Sequence, residues 1–152
     1  MRAIVTTVRE SIEVGVPVST AYNQWTQFKE FPKFMEGVES VEQLDSTTLR
    51  WVAEIAGVER QWEAKITAQR PDERIAWASS EGPTNSGQVS FTPIDAGRTG
   101  VDLELNFEPQ GPVEKAGVAT GAVQRRAKKD LERFKQFIEE RGEETGAWRR
   151  PY

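Results

Sequence analysis

Between residues 38 and 109 one segment after another alternates apolar and polar side chains, and each gap between segments is only a few residues long. Parallel neighbours need a connection of about a dozen residues or more, usually a helix, so this stretch is confined to an antiparallel sheet. The segments are VESVEQL at 38–44, TTLRWVAEIA at 47–56, VERQWEAKITAQR at 58–70, ERIAWASS at 73–80, GQVSFTPI at 87–94 and RTGVDLELNFEP at 98–109. Turn-forming residues mark the junctions: Asp45-Ser46, Gly57, Pro71-Asp72, Gly82-Pro83-Thr84-Asn85 and Asp95-Ala96-Gly97. A seventh strand precedes them, because Val8, Ile12 and Val14 alternate with Arg9, Ser11 and Glu13. Glu10 shares the apolar phase of that strand.

Helical periods flank the strand run. Pro17 stops the first strand, and Ser19 and Thr20 stand where a helix begins; Val18, Tyr22, Trp25 and Phe28 form its apolar stripe. Phe31-Pro32-Lys33-Phe34-Met35 reads as a second short helix or turn, since proline suits a first helical position, and Gly37 ends it. After Pro109, Gly111 and Pro112 the period is helical again from Val113 to about Arg141, with Val123, Ala127, Leu131, Phe134 and Ile138 on one face. Gly117 and Gly121 fall in its first part, where a glycine costs about 1 kcal/mol relative to alanine, which predicts a kink or a close approach. Gly142 stops the helix. EETGAWRRPY at 143–152 has no period and reads as a flexible tail, with Trp148 able to dock on the body or on a partner.

With 152 residues the chain is the size of one domain, taken as residues 1–142. It is 37% hydrophobic and 29% charged, with no apolar run of ~18 residues or more. No transmembrane helix is expected. MRAIVTTVRESIEV lacks the apolar core of a secretory signal, so a cytoplasmic location is the expectation. The absence of cysteine and histidine removes disulfides, thiolate nucleophiles, the usual general base and the commonest metal ligand. No metal or cofactor is expected. The net charge of -4 argues against a nucleic-acid partner. Arg125, Arg126, Lys128, Lys129, Arg133 and Lys135 crowd the final helix, but Asp130 and Glu132 lie among them, as on a solvated helix face. No glycine-rich phosphate loop is present.

The order of elements, strand, two short helices, six strands and one long helix, resembles the START-like or Bet v 1-like helix-grip (SRPBCC) superfamily, and more narrowly its polyketide cyclase/dehydrase branch. The resemblance is carried by SIEVGVPVSTAYNQWTQFKEFPKFMEGVESVEQL, LRWVAEIAGVERQWEAKITAQRPDERIAWAS and DLERFKQFIEER, and extends from about Val8 to Arg141. It implies an α+β fold in which a seven-stranded antiparallel sheet curves around the C-terminal helix with a cavity between them. It does not fix an activity, because such folds host aromatases and cyclases as well as quinone- and lipid-binding proteins.

Strand parity then assigns the cavity lining. The inward positions are Leu49, Trp51, Ala53 and Ile55; Val58, Arg60, Trp62, Ala64 and Ile66; Ile75, Trp77 and Ser79; Val89 and Phe91; and Val101, Leu103, Leu105 and Phe107. Three tryptophans on adjacent strands make an apolar wall suited to a flat or lipid-like ligand, or simply fill the core. Phe31, Phe34 and Met35 are expected to border the cavity mouth. Arg60 and Glu10 break the apolar phase, either as a buried ion pair with each other, or with Arg60 snorkelling out at a strand end, or as catalytic candidates, Arg60 holding a ligand oxygen and Glu10 orienting it or acting as base. The leading reading is binding of a hydrophobic polyketide, quinone or lipid in contact with Phe34, Met35, Trp51, Ile55, Arg60, Trp62, Trp77, Ser79, Phe91, Leu103 and Phe107. The alternatives are an aromatase/cyclase-type enzyme, and a membrane-surface or protein interaction module using the basic helix face and Trp148-Arg149-Arg150.

Overall fold

The computed structural model describes residues 6–55, 58–80, 85–108, 115–116 and 121–149, the side chains of Ile55, Val58 and Asn85 excepted. Seven strands form one antiparallel sheet: β1 (Thr6–Val14), β2 (Val38–Gln43), β3 (Thr48–Ile55), β4 (Val58–Arg70), β5 (Arg74–Ser79), β6 (Asn85–Asp95) and β7 (Arg98–Phe107), in the spatial order β1-β7-β6-β5-β4-β3-β2. The chain thus leaves β1 at one edge, crosses to β2 at the other and returns by five consecutive hairpins. The crossing is made by helix α1 (Val18–Trp25) and a 3-10 helix (Phe28–Lys33), and helix α2 (Ala122–Arg141) lies on the sheet. This is the helix-grip arrangement expected from the sequence.

Local chemistry accounts for the element ends. Pro17 precedes α1 with extended backbone, and its carbonyl accepts from Ala21 N at 3.1 Å. Pro32 sits inside the 3-10 helix, two tight turns too short to need every N–H a longer α-helix would use. Gly37, at φ +86°, then turns the chain into β2. Gly142, at φ +75°, caps α2 by donating to the Ile138 carbonyl at 2.9 Å. Gly121 stands at the N-cap of α2 with φ +76°, so the helical period read from Val113 onward is interrupted there. Gly117, and the helical start expected at Val113, lie outside the described residues.

The apolar stripe of α2 is buried as the period predicts, with Ala127, Leu131, Phe134 and Ile138 covered and Val123 half-buried. Each large side chain so covered contributes about 1.5–3 kcal/mol. Polar bonds hold both flanks of the helix. Along β1, Gln124 Nε2 donates to the Arg9 carbonyl and to Glu10 Oε1, both at 2.7 Å, Lys135 Nζ donates to the Glu13 carbonyl at 2.8 Å, and Gly15 N donates to Glu139 Oε2 at 2.7 Å. On the other flank, Glu36 N donates to Asp130 Oδ1 at 3.2 Å, Arg133 reaches the Glu36 carboxylate at 2.9 Å and Asp130 at 3.1 Å, and Arg126 donates to the Glu36 carbonyl. The helix therefore ties the β1 edge to the segment leading into the β2 edge.

Residues 144–149 do not behave as the flexible tail expected. Thr145 N donates to Gln24 Oε1 at 2.8 Å and Gln24 Nε2 to Thr145 Oγ1 at 3.1 Å. Trp148 N donates to Thr26 Oγ1 at 3.1 Å, and the Trp148 carbonyl accepts from Gln69 Nε2 at 3.0 Å. Arg149 bonds Asn23 Oδ1 at 2.7 Å and Asp72 at 2.8 Å, with its guanidinium 5.3 Å from the centre of the Tyr22 ring. This strap covers the face of α1 turned away from the core. It explains why Asn23, Gln24, Thr26 and Gln69 are buried although polar. It also ties Trp148 and Arg149 to the body of the protein, with Trp148 half-buried and Arg149 still exposed; Arg150 lies outside the described residues.

Candidate functional site

Burial changes in the same direction along β4, β5 and β7. On β4 the inward side chains pass from Ile66 and Ala64, fully covered, to half-buried Trp62 and Arg60; on β5 from Ile75 through Trp77 to half-buried Ser79; on β7 from Val101 and Leu103 to half-buried Leu105 and Phe107. The antiparallel register puts the exposed end of each of these strands on the same side, with Ala64 opposite Ser79 and Phe107 opposite both Asn85 and Thr6. Helix α2 follows the same polarity, since Gln124 near its start meets Glu10 and Glu139 near its end meets Gly15. Among the described residues the interior thus has a more covered, closed end and a less covered, open end.

Aromatic rings fill the closed end. Trp25 is 1% exposed and lies 4.8 Å from Phe134, 5.7 Å from Phe31, 5.9 Å from Phe34 and 6.4 Å from Phe91, measured between ring centres. Phe34 also meets Phe31, Phe134 and Phe137 at 5.6, 5.2 and 5.6 Å. Phe31 and Phe34, expected at a cavity mouth, therefore sit in the packed core. Trp25 on α1 and Phe134 on α2 pack against them, while Lys29 and Lys33 form the exposed face of the 3-10 helix. Met35 remains half-buried against this cluster.

Toward the open end the three wall tryptophans do come together. Trp51 and Trp62, directly opposite each other on β3 and β4, stack with ring planes 3° apart and centres at 5.9 Å; Trp51 and Trp77 lie at 6.3 Å and 30°. Trp77 fits because Gly87 faces it: a Cβ there would stand 2.6 Å from Trp77 Cζ2. Trp51 and Trp77 are buried, Trp62 half-buried, and Leu103 and Phe91 continue the wall inward. Arg60 and Ser79 lie at the open end beyond the tryptophans; the side chain of Ile55 lies outside the described residues. Glu10 does not join Arg60. Its carboxylate is held by Gln124, and β1 is four places from β4 in the sheet, roughly 19 Å along it at ~4.8 Å per strand.

Three features escaped the sequence reading. The indole N–H groups of Trp51 and Trp25 and the hydroxyl of Tyr22 are buried with no hydrogen-bond partner among the described residues. Burial pushes the Tyr22 hydroxyl above its usual range, against the pull of the neighbouring Gln69 amide and Arg149. Asp130 is the second: its carboxyl is raised to about 6 because burial outweighs the attraction of the Glu36 N–H, Arg126 and Arg133. The third is a depression of about 180 Å³ on the sheet near Arg9, Ser11, Gln88, Ser90, Asp102 and Glu104. Its polar groups are engaged with each other: Gln88 and Arg9 bond Glu104 at 2.7 and 3.0 Å, holding its carboxyl below the usual range, and Ser11 donates to Asp102. It is a cross-strand ladder rather than a site.

Among the described residues no helix is long and apolar enough to cross a membrane. Residues 14–136 match the model of the family described as polyketide cyclase / dehydrase and lipid transport. An uncharacterized 17.2 kDa protein in the melC2-rnhH intergenic region of Streptomyces lincolnensis is 53% identical over 143 residues, which cover 93% of this chain and 95% of that protein. The solved structure of the Zhui aromatase/cyclase from a Streptomyces species is similar with a TM-score of 0.78 at 19% identity, over 95% of this chain and 100% of that one. A START superfamily protein from Mycobacterium smegmatis is similar with a TM-score of 0.68 at 17% identity, over 89% and 95%.

Proposed function

This chain belongs to the polyketide cyclase/dehydrase and lipid transport family, and from that premise we propose that it binds a hydrophobic small molecule, a polyketide, quinone or lipid, between the tryptophan wall and the first half of α2. One observation carries the reading: on β4 and β7 the inward face passes from sealed core to half-covered Trp62, Leu105 and Phe107. A surface that is apolar, aromatic and incompletely covered is what a pocket for a largely apolar ligand needs. Trp62 supplies a flat face, and Arg60 and Ser79 supply polar atoms at its outer margin. Trp51, Trp62 and Trp77 report on occupancy. Quenching or a spectral shift of tryptophan emission by quinones, fatty acids or aromatic polyketides, with a compound retained in mass spectra of the gently purified protein, is the expected result. No shift with any of the three classes, and no retained compound, refutes the proposal.

The aromatase/cyclase neighbour motivates a second reading, in which the same pocket folds a poly-β-keto chain and Arg60 holds the enolate oxygen during ring closure. Glu10 has no part in it, because Gln124 holds its carboxylate four strands away. Cyclisation of a poly-β-keto thioester that slows at least tenfold in Arg60→Ala favours this reading. A rate unchanged by that substitution removes it.

A further inference from the structure

We propose that the ring N–H of Trp51 is the polar handle of this interior, and that the molecule bound there is planar and carries a carbonyl oxygen that accepts from it. The proposal rests on the uptake reading above and narrows it from hydrophobic compounds in general to one chemical class. Buried donors in folded proteins are nearly always paired, and buried indole N–H groups usually find a partner. Trp51 is 7% exposed, yet its Nε1 has none among the described residues. The rings packed on it, Phe31 at 5.7 Å, Trp62 at 5.9 Å and Trp77 at 6.3 Å, present ring faces and edges and no oxygen acceptor.

Two other buried donors lack partners among the described residues, and their surroundings set them apart. Trp25 is enclosed by Phe31, Phe34, Phe91 and Phe134, and Tyr22 stands edge-on to Phe91 at 5.7 Å, both at the sealed end. Trp51 instead is the middle member of the stack that leads out to half-buried Trp62. An indole N–H lies in the plane of its ring. A flat molecule that meets the Trp51 ring at its edge can bring a ring-borne carbonyl into that direction, whereas the body of an acyl chain offers no acceptor. A site with an unpaired donor discriminates against a ligand of the same shape that cannot accept.

Equilibrium dialysis with 9-fluorenone and fluorene, planar frames that differ by the carbonyl oxygen, tests this directly. The protein is expected to bind fluorenone about tenfold more tightly, which corresponds to ~1.4 kcal/mol. Trp51→Phe is expected to bind the two equally, whatever the smaller ring does to their common affinity. Equal affinities in the unaltered protein, or a fluorenone preference that survives Trp51→Phe, overturn the proposal. Nitrogen-15 spectra of the unaltered protein give a readout that needs no variant: fluorenone should move the Trp51 indole proton downfield and fluorene should not. Movement of the Trp25, Trp62 or Trp77 indole proton with Trp51 unmoved also overturns it. Failure of both compounds to bind sinks uptake of flat molecules itself, a result distinct from binding without preference.

Discussion

Replacing Asp130 by asparagine should change how stability depends on pH, and the size of the change follows from the site. The carboxylate of Asp130 is only 17% exposed and faces Arg126 and Arg133 on its own helix, and the N–H and carboxylate of Glu36 across the seam. Burial dominates and raises its pKa to about 6 from 3.8. The folded protein therefore holds a proton that the unfolded chain releases, so the contribution of this group is full below pH 3.8 and is lost as pH rises through 6. At 1.36 kcal/mol per pH unit, and counting only the part that falls between about pH 4.5 and 7.5, the loss is about 2 kcal/mol. In Asp130→Asn the amide oxygen can still accept from Glu36 N, but the titration is gone. Urea unfolding followed by tryptophan emission should show the stability of the native sequence falling, relative to the variant, by about 2 kcal/mol over that range, or about 1 M in midpoint. A difference that stays level within about 0.5 kcal/mol refutes the reasoning. So does one that grows with pH, since Arg126 and Arg133 would then outweigh burial.

Gly87→Ala forces a methyl group to within 2.6 Å of the Trp77 ring and 3.0 Å of the Glu104 carbonyl, and should cost about 1–3 kcal/mol in urea unfolding. Combining it with Trp77→Phe should cost less than the two changes summed, and strict additivity would show that the ring and the glycine are not coupled. Ending the chain after Gly142 removes the strap bonds to Gln24, Thr26, Gln69, Asn23 and Asp72, and should lower stability by about 2 kcal/mol or more. Arg149→Ala alone should cost under about 1 kcal/mol, because its ion pair with Asp72 is half-exposed. An unchanged urea midpoint in the shortened chain would mean that residues 144–149 add nothing to the fold.

The strands were legible because one face of the sheet is buried, and a period of two survives wherever that is so. Val58–Arg70 is read to its ends for this reason. The parity fails where the pairing of β4 with β5 shifts between Ile66 and Ala68, which places Gln69 in a buried position that alternation assigns to the outside. The strap left no periodic trace, since its bonds run from side chains of α1 and β4 to main-chain groups of an irregular segment. One signal was present. Helix α1, VSTAYNQW, carries no charged residue on any face, and a helix face open to water usually does. The tryptophan wall followed from strand parity, but the unpaired N–H of Trp51 depends on ring rotation within the stack, which no sequence pattern encodes. Phe34 was misplaced for a related reason: aromatic residues in a short segment between two longer elements can pack toward either.

The strap also bears on how the protein comes to be folded as it is made. Residues 23–27 emerge from a ribosome more than a hundred residues before 144–149, which cover them in the finished structure. The β2–β7 meander can pair hairpin by hairpin during synthesis. Helix α1 cannot be finished on that schedule: its amides at Asn23 and Gln24 stay with water until residue 149 has cleared the exit tunnel. Translation therefore leaves the first helix as the last part of the body to be sealed.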